Sequence, residues 1–198
     1  MLKETYMKKR MLIRKRIKYP LFHYYGSVTE NSLHILSTHF DETPESLGTA
    51  VKLRLTQLDE EFNDIDKRHV MNYAQHDIQT HQPSTEFIED NFTVLREEFE
   101  TVQAEIAYLL QSPVCRMRYA TIEENDDLTY HIDQPGKDRF VMVIEGAHVI
   151  HIKTKDQVFK QIMSPGEVWY INSNWEHKVE NIEPNRRLAL LGCFDYNK

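Results

Sequence analysis

The chain has 198 residues, of which 40% are hydrophobic and 28% charged. This is the composition of an ordinary folded protein rather than of a disordered one. No run approaches the roughly 18 apolar residues of a membrane-spanning helix, and no apolar region with a small-residue cleavage site follows the basic start, so neither a transmembrane segment nor a secretory leader is expected. The net charge of −7 is unevenly spread: residues 1–18 carry eight basic side chains against Glu4 alone, which leaves −14 on the rest.

That first segment, with Met11, Ile13 and Ile17 set among charges, reads as a solvated strand or as a basic arm for an acidic partner. The acidic remainder argues against a nucleic-acid surface on the main body. Residues 28–38 and 50–75 read as helices, with loops over 41–48 and 81–84. The clearest helix is expected over 86–110, where Ile88, Phe92, Leu95, Phe99, Val102, Ile106 and Leu109 recur every three or four residues. Ser112-Pro113 ends it.

From there the character changes. Short β-rich runs are expected over 114–122, 128–132, 139–145, 147–153, 157–163, 167–171, 177–181 and 186–194, separated by turns such as Gln134-Pro135-Gly136 and Ser164-Pro165-Gly166. Strands of this number and spacing make a sandwich or barrel. Cys115 and Cys193 fall in two of them. They are too few for a disulfide framework, lack the spacing of a zinc site and read as small apolar residues, so a cytoplasmic protein is expected. Residues 1–112 therefore read as a basic segment and helices packing on a core formed by 113–198.

The chemistry gathers in the second half. In His131-Ile132-Asp133, at a strand end, residues i and i+2 face the same side about 7 Å apart. His177 lies beside a later strand. Two imidazoles and a carboxylate form the facial triad that suits non-haem Fe(II), leaving three coordination positions open. Ten residues after His177, Arg187 opens the apolar run Leu188-Ala189-Leu190-Leu191. A buried arginine there needs an anionic partner, such as the carboxylate of a bound 2-oxo acid. His39-Phe40-Asp41 has the same local spacing, but it follows a helix and no arginine stands ten residues after its later histidines. Trp169 and Trp175 read as packing residues, and Arg116 and Arg118 as solvent-facing, with the barrel mouth as the other option. Arg139, beside Lys137 and Asp138, suits either a solvated turn or the site. His148 and His151 fall on opposite strand faces and make a poor ligand pair.

The ordered set His131-Ile-Asp133, Arg139, Ser164-Pro-Gly-Glu-Val-Trp169-Tyr-Ile-Asn172, His177-Lys-Val-Glu-Asn181 and Arg187-Leu-Ala-Leu190 resembles the aspartyl/asparaginyl β-hydroxylase-like branch of the 2-oxoglutarate- and Fe(II)-dependent dioxygenases. The resemblance covers roughly residues 113–195. It implies a cupin-like double-stranded β-helix, or jelly roll, for that region; with the helices read before it, the fold expected is mainly β with flanking helices, a helical N-terminal half preceding the core. It further implies that His131, Asp133 and His177 bind Fe(II), that Arg187 pairs with the distal carboxylate of 2-oxoglutarate and that Arg139 contacts substrate or co-substrate. The implied activity is hydroxylation of an Asp, Asn or Pro side chain, in a free amino acid or in a peptide or protein. One position departs from the branch: Val141 stands where a histidine is common two residues after the arginine. Two other classes fit the same residues less fully, a cupin-type metal enzyme that uses no 2-oxoglutarate and a non-catalytic jelly-roll binding module.

Overall fold

Strands whose side chains alternate between two faces pair wherever both faces can be covered. The computed structural model describes residues 18–41, 99–122, 127–133, 138–184 and 187–196, together with two short backbone strands. Its elements in chain order are β1 (Phe22–Ser27), α1 (Glu30–Asp41), β2 (Thr56–Gln57), β3 (Val94–Leu95), α2 (Glu100–Leu110), β4 (Cys115–Ile122), β5 (Asp127–His131), β6 (Asp138–Glu145), β7 (His148–Lys153), β8 (Val158–Met163), β9 (Glu167–Ile171), β10 (Glu176–Asn181) and β11 (Arg187–Phe194).

The strands form a five-stranded sheet, β1-β9-β6-β11-β4, and a four-stranded sheet, β5-β10-β7-β8, with β2 and β3 paired apart from them. All pairs are antiparallel. From β4 to β11 the chain passes between the two large sheets, with one same-sheet hairpin from β7 to β8, which is a jelly-roll path. Each of these eight strands lies within one residue of its expected bounds.

Two apolar layers follow from the alternation. Between the sheets lie Ile122, Val141, Val143, Ile150, Met163, Ile171, Val179 and Ala189. On the other face of the larger sheet, Phe140, Met142, Leu188, Leu190 and Phe194 pack with Leu36 and Phe40 of α1 and Val102, Ile106 and Leu110 of α2. β6 is therefore buried on both faces, which explains its nearly continuous apolar run. Gly192 sits opposite Phe140, and a Cβ there would come within 2.3 Å of that ring, so the position takes no side chain.

The helices are tied to each other and to the sheet. Glu105 of α2 accepts from the Thr29 backbone N–H at 2.8 Å and the Ser32 hydroxyl at 2.6 Å, so a carboxylate from one helix satisfies the start of the other. The Tyr119 hydroxyl donates to the Leu36 carbonyl at 2.7 Å, anchoring α1 on β4. α2 ends at Gln111, whose left-handed backbone (φ 53°) closes the last turn before Pro113. No helix among the described residues is long and apolar enough to cross a membrane.

The helical N-terminal half expected from the sequence is not what these residues show. The helix expected over 28–38 is α1. The helix expected over 86–110 begins only at Glu100, and Val94–Leu95 is a strand. Within the helix expected over 50–75, Thr56–Gln57 is the strand that pairs with it. Pairing between segments distant in sequence overrides a local period. The remaining parts of these expectations lie outside the described residues. β1 was not expected; it extends the larger sheet beside β9.

Candidate metal centre

β5 and β10 are neighbours in the four-stranded sheet, and His131 and His177 are direct register partners there. Their rings lie 4.3 Å apart. Asp133 follows β5, and its backbone N–H donates to the Ser173 carbonyl at 3.2 Å in the turn that leads into β10. One ligand atom each from His131, Asp133 and His177 falls within 4.8 Å of the others. Thus the structure brings together the three residues named from spacing. His177 is buried, whereas the side chains of His131 and Asp133 are 32% and 30% exposed, so the site opens on their side.

The hydrogen bonds fix which nitrogen of each ring is free. His131 Nδ1 lies 2.8 Å from the Thr129 carbonyl and His177 Nδ1 lies 3.0 Å from the Trp175 carbonyl. A carbonyl can only accept, so each Nδ1 carries the proton and each Nε2 keeps its lone pair for the site. Burial lowers the His177 pKa, with Asp133 pulling it the other way. Burial alone would raise the Asp133 carboxyl, but His177, Arg139 and His131 together with a hydrogen bond from Ser173 outweigh it and hold it at about 2. The result is two imidazole lone pairs and one ionised carboxylate, the donor set that suits a divalent transition metal.

The turn between β9 and β10 carries much of this order. Asn172 is fully buried, its backbone N–H donating to Leu21 and its side chain to the Tyr19 carbonyl, and Trp175 N–H donates to the Asn172 carbonyl. Ser173 and Trp175, which hold Asp133 and His177, are therefore set on a pinned turn. Upstream, Glu167 accepts from the Ser164 N–H at 2.9 Å and from Trp169 Nε1 at 3.0 Å. The Gly-Glu-x-Trp run is thus a turn lock, and Trp169 packs against Tyr24 with ring centroids 5.1 Å apart.

Arg139 is not on a solvated turn. It is 6% exposed, its Nε lies 3.6 Å from Asp133 Oδ2, and its Nη1 donates to Cys193 Sγ at 2.8 Å. Arg118 stands in the same neighbourhood; burial, then Arg116 and Arg139, lower its pKa to about 10. Arg116 is itself buried, with a left-handed φ of 51° at the β4–β11 register shift. The solvent-facing reading of this pair therefore gives way to the barrel mouth for Arg118 and to the interior for Arg116.

Arg187 begins β11 at the opposite end of the sheets from His177, 3% exposed, and its Nε has no hydrogen-bond partner among the described residues. Burial lowers its pKa to about 9. Val141 is buried in the layer between the sheets and offers no polar contact where the resemblance expects a histidine. His39 packs edge-on against Phe99 and Phe40 is core, so these two residues serve helix packing. Sequence reasoning missed Ser173, Cys193 as the acceptor for Arg139, and His148, which has 0% exposure between the sheets. The only signal for His148 was its inward register with Ile150.

No family model matches the chain, and no curated protein matches it. Solved structures with partial likeness include an oxalate decarboxylase from Bacillus subtilis described with Mn(II) centres, at 20% identity and a TM-score of 0.36 over 41% of this chain and 22% of that one. Peruvianin-I, a cysteine peptidase from Thevetia peruviana latex, aligns at 14% identity and a TM-score of 0.36 over 41% of this chain and 50% of that one. Drosophila melanogaster CENP-C bound to CAL1 aligns at 8% identity and a TM-score of 0.35 over 38% and 58%. The chain thus spans about a fifth to just over half the length of these proteins. Likeness at this level bears on neither activity nor partners.

Proposed function

We propose that this protein is an Fe(II)- and 2-oxoglutarate-dependent dioxygenase that hydroxylates an unactivated C–H bond of an amino acid or peptide side chain of the Asp, Asn or Pro type. The observation that carries the proposal is a pairing within one barrel. A His-Asp-His set with both Nε2 lone pairs turned to the site shares the inter-sheet space with a buried arginine whose Nε lacks a partner among the described residues.

The residues fit the implied ion. His131 Nε2, His177 Nε2 and an Asp133 oxygen would hold it, and three ligands on one face leave room for a chelating co-substrate and dioxygen. When bound, the ion supplies the oxidative chemistry that converts 2-oxoglutarate, dioxygen and a C–H bond into succinate, carbon dioxide and an alcohol. The chain does the positioning. Arg187 would hold the distal carboxylate of the co-substrate as a planar fork. Arg139, fixed by Cys193, orients Asp133 and keeps it ionised. The Thr129 and Trp175 carbonyls hold the imidazoles in the ligating tautomer. Val143, Ile150 and Ala189 exclude water between the sheets. Arg118 and Arg139, at the site's open side, would orient the polar end of the substrate.

Succinate release tests this. Purified protein with Fe(II) and 2-oxoglutarate is assayed against free amino acids and against Asp-, Asn- and Pro-containing peptides. The expected result is substrate-stimulated succinate and a product heavier by one oxygen atom. Metal binding without succinate from any member of the panel would favour a metal enzyme that uses no 2-oxo acid.

A further inference from the structure

The two cysteines, far apart in sequence, meet in the larger sheet. Cys193 of β11 pairs in register with Cys115 of β4 on one side and with Arg139 of β6 on the other. Directly opposed residues of an antiparallel pair project to the same face. Val114 and Phe194, the chain neighbours of the two cysteines, belong to the layer under the helices, so both cysteines point into the space between the sheets. A bulge sets this pairing. β4 advances three positions from Cys115 to Arg118 while β11 advances two from Leu191 to Cys193, and Arg116, with its left-handed φ of 51°, takes up the extra step. Without it Cys193 would face Arg116, and Cys115 would turn to the other face. Opposed Cα atoms in such a ladder lie about 4.5–5.5 Å apart. That is inside the roughly 4.4–6.8 Å across which a disulfide closes. In this structure both side chains are thiols, Cys193 0% and Cys115 6% exposed.

Cys193 is also an anchor. Its sulfur accepts from Arg139 Nη1 at 2.8 Å, and Nε of the same guanidinium lies 3.6 Å from Asp133 Oδ2. Arg118 stands close by, with Cys193 among the charges acting on it after burial and Arg116. Guanidinium groups around a sulfur favour the thiolate, which is the reactive form. The Asp133 side chain is 30% exposed, so Asp133, Arg139 and Cys193 form a short line of contacts from the open side of the site to the sulfur. A small oxidant fits such a path and a protein-sized one does not.

We propose that Cys115 and Cys193 are a redox-active pair that switches the metal centre: hydrogen peroxide oxidises Cys193, Cys115 closes a disulfide with it, and Arg139 loses the sulfur that aims it at Asp133. In the first step the Cys193 thiolate attacks the O–O bond, giving Cys193 sulfenic acid and hydroxide. In the second the Cys115 thiol displaces the sulfenic hydroxyl, which leaves with the thiol proton as water. The two sulfurs lose two electrons in all, and the peroxide gains them. A disulfide sulfur is uncharged and a poor acceptor, so the reduced pair holds Arg139 and the bridged pair releases it. This rests on Asp133 being a metal ligand and adds regulation to that site.

The metal-free full chain is treated with hydrogen peroxide and the excess is removed. Intact and peptide masses are then read, together with Mn(II) affinity by calorimetry, before and after dithiothreitol. Expected are the loss of two hydrogen atoms, a linked peptide carrying Cys115 and Cys193, Mn(II) binding weaker by roughly 10-fold or more, and recovery with dithiothreitol. Cys115→Ser leaves Arg139 its sulfur. It should bind Mn(II) as the untreated wild type does and, after peroxide, gain oxygen at Cys193 rather than form a bridge. Wild-type thiols that survive peroxide sufficient to oxidise the urea-unfolded chain overturn the pair. A bridge that leaves Mn(II) affinity unchanged overturns the switch. Reduced wild type that binds no Mn(II) overturns the metal reading and the switch with it, whereas the bridge itself is read by mass and needs no metal. The wild-type measurements decide even if Cys115→Ser fails to fold.

Discussion

Asp133 is the one anionic donor in the His-Asp-His set, and its ionisation is secured by two imidazoles, Arg139 and Ser173. Asp133→Ala should lower divalent-metal affinity by more than the roughly 10–100-fold that changes behind a ligand commonly cost, as read by metal content after gel filtration. Asp41→Ala, in the second His-x-Asp, whose His39 and Phe40 pack against the helices, should leave metal content unchanged. A second consequence belongs to His148. Burial first and the Arg187 charge second depress its folded pKa from 6.5 to about 2, against a hydrogen bond to the Glu145 backbone that pulls it up. The unfolded chain therefore takes up a proton near pH 6.5 that the folded chain refuses, and the stability this residue supports is complete above that pH and lost as pH falls toward 2. The slope is about 1.4 kcal/mol per pH unit, or about 2 kcal/mol by pH 5. Urea unfolding of wild type and His148→Gln at pH 7.5 and pH 5 should show the wild type losing about that much more. Equal losses would mean that the ring is protonated in the fold.

At the scale of elements, the eight jelly-roll strands were legible because turn residues punctuate them and β-branched side chains fill them. His131, Asp133 and His177 were legible for a related reason: a strand end sets i and i+2 on one side whatever surrounds it. Arg139 was ambiguous because Lys137 and Asp138 beside it are polar. Only the sheet order shows that β6 is central and covered on both faces. His148 gave almost no signal, since its companion Arg187 comes from the other sheet and no local pattern links them. The helix expected over 86–110 stands as α2 from Glu100 and gives way at Val94–Leu95 for the same kind of reason, a partner strand distant in sequence. Two substitutions test the element contacts. Glu105→Ala removes the carboxylate at the start of α1 and should cost about 1–2 kcal/mol. Gly192→Ala would drive a methyl group into the fully buried Phe140 ring and should cost about 1–3 kcal/mol. Urea denaturation reads both; no change in Gly192→Ala would mean that the β6–β11 register is looser than it stands.

For the molecule as a whole, the two sheets divide the site's labour along one axis. His177 and Asp133 lie at one end with Arg139 and Arg118, and Arg187 and His148 lie at the other. A dicarboxylate with a metal-chelating 2-oxo acid head is the ligand proposed to span that distance. Its visible absorption on the metal reports both ends at once. Under strictly anaerobic conditions, 2-oxoglutarate is titrated into the Fe(II)-loaded chain and the weak visible charge-transfer band of the Fe(II)–2-oxo acid chelate is followed. The wild type should develop the band and saturate. Asp133→Ala should show none. Arg187→Ala should need roughly 30-fold or more additional 2-oxoglutarate, because truncating one side of a buried charge pair costs about 2–5 kcal/mol. A wild type that binds Fe(II) yet shows no band at any 2-oxoglutarate concentration contradicts a 2-oxoglutarate oxygenase and leaves a metal-binding jelly roll of another kind.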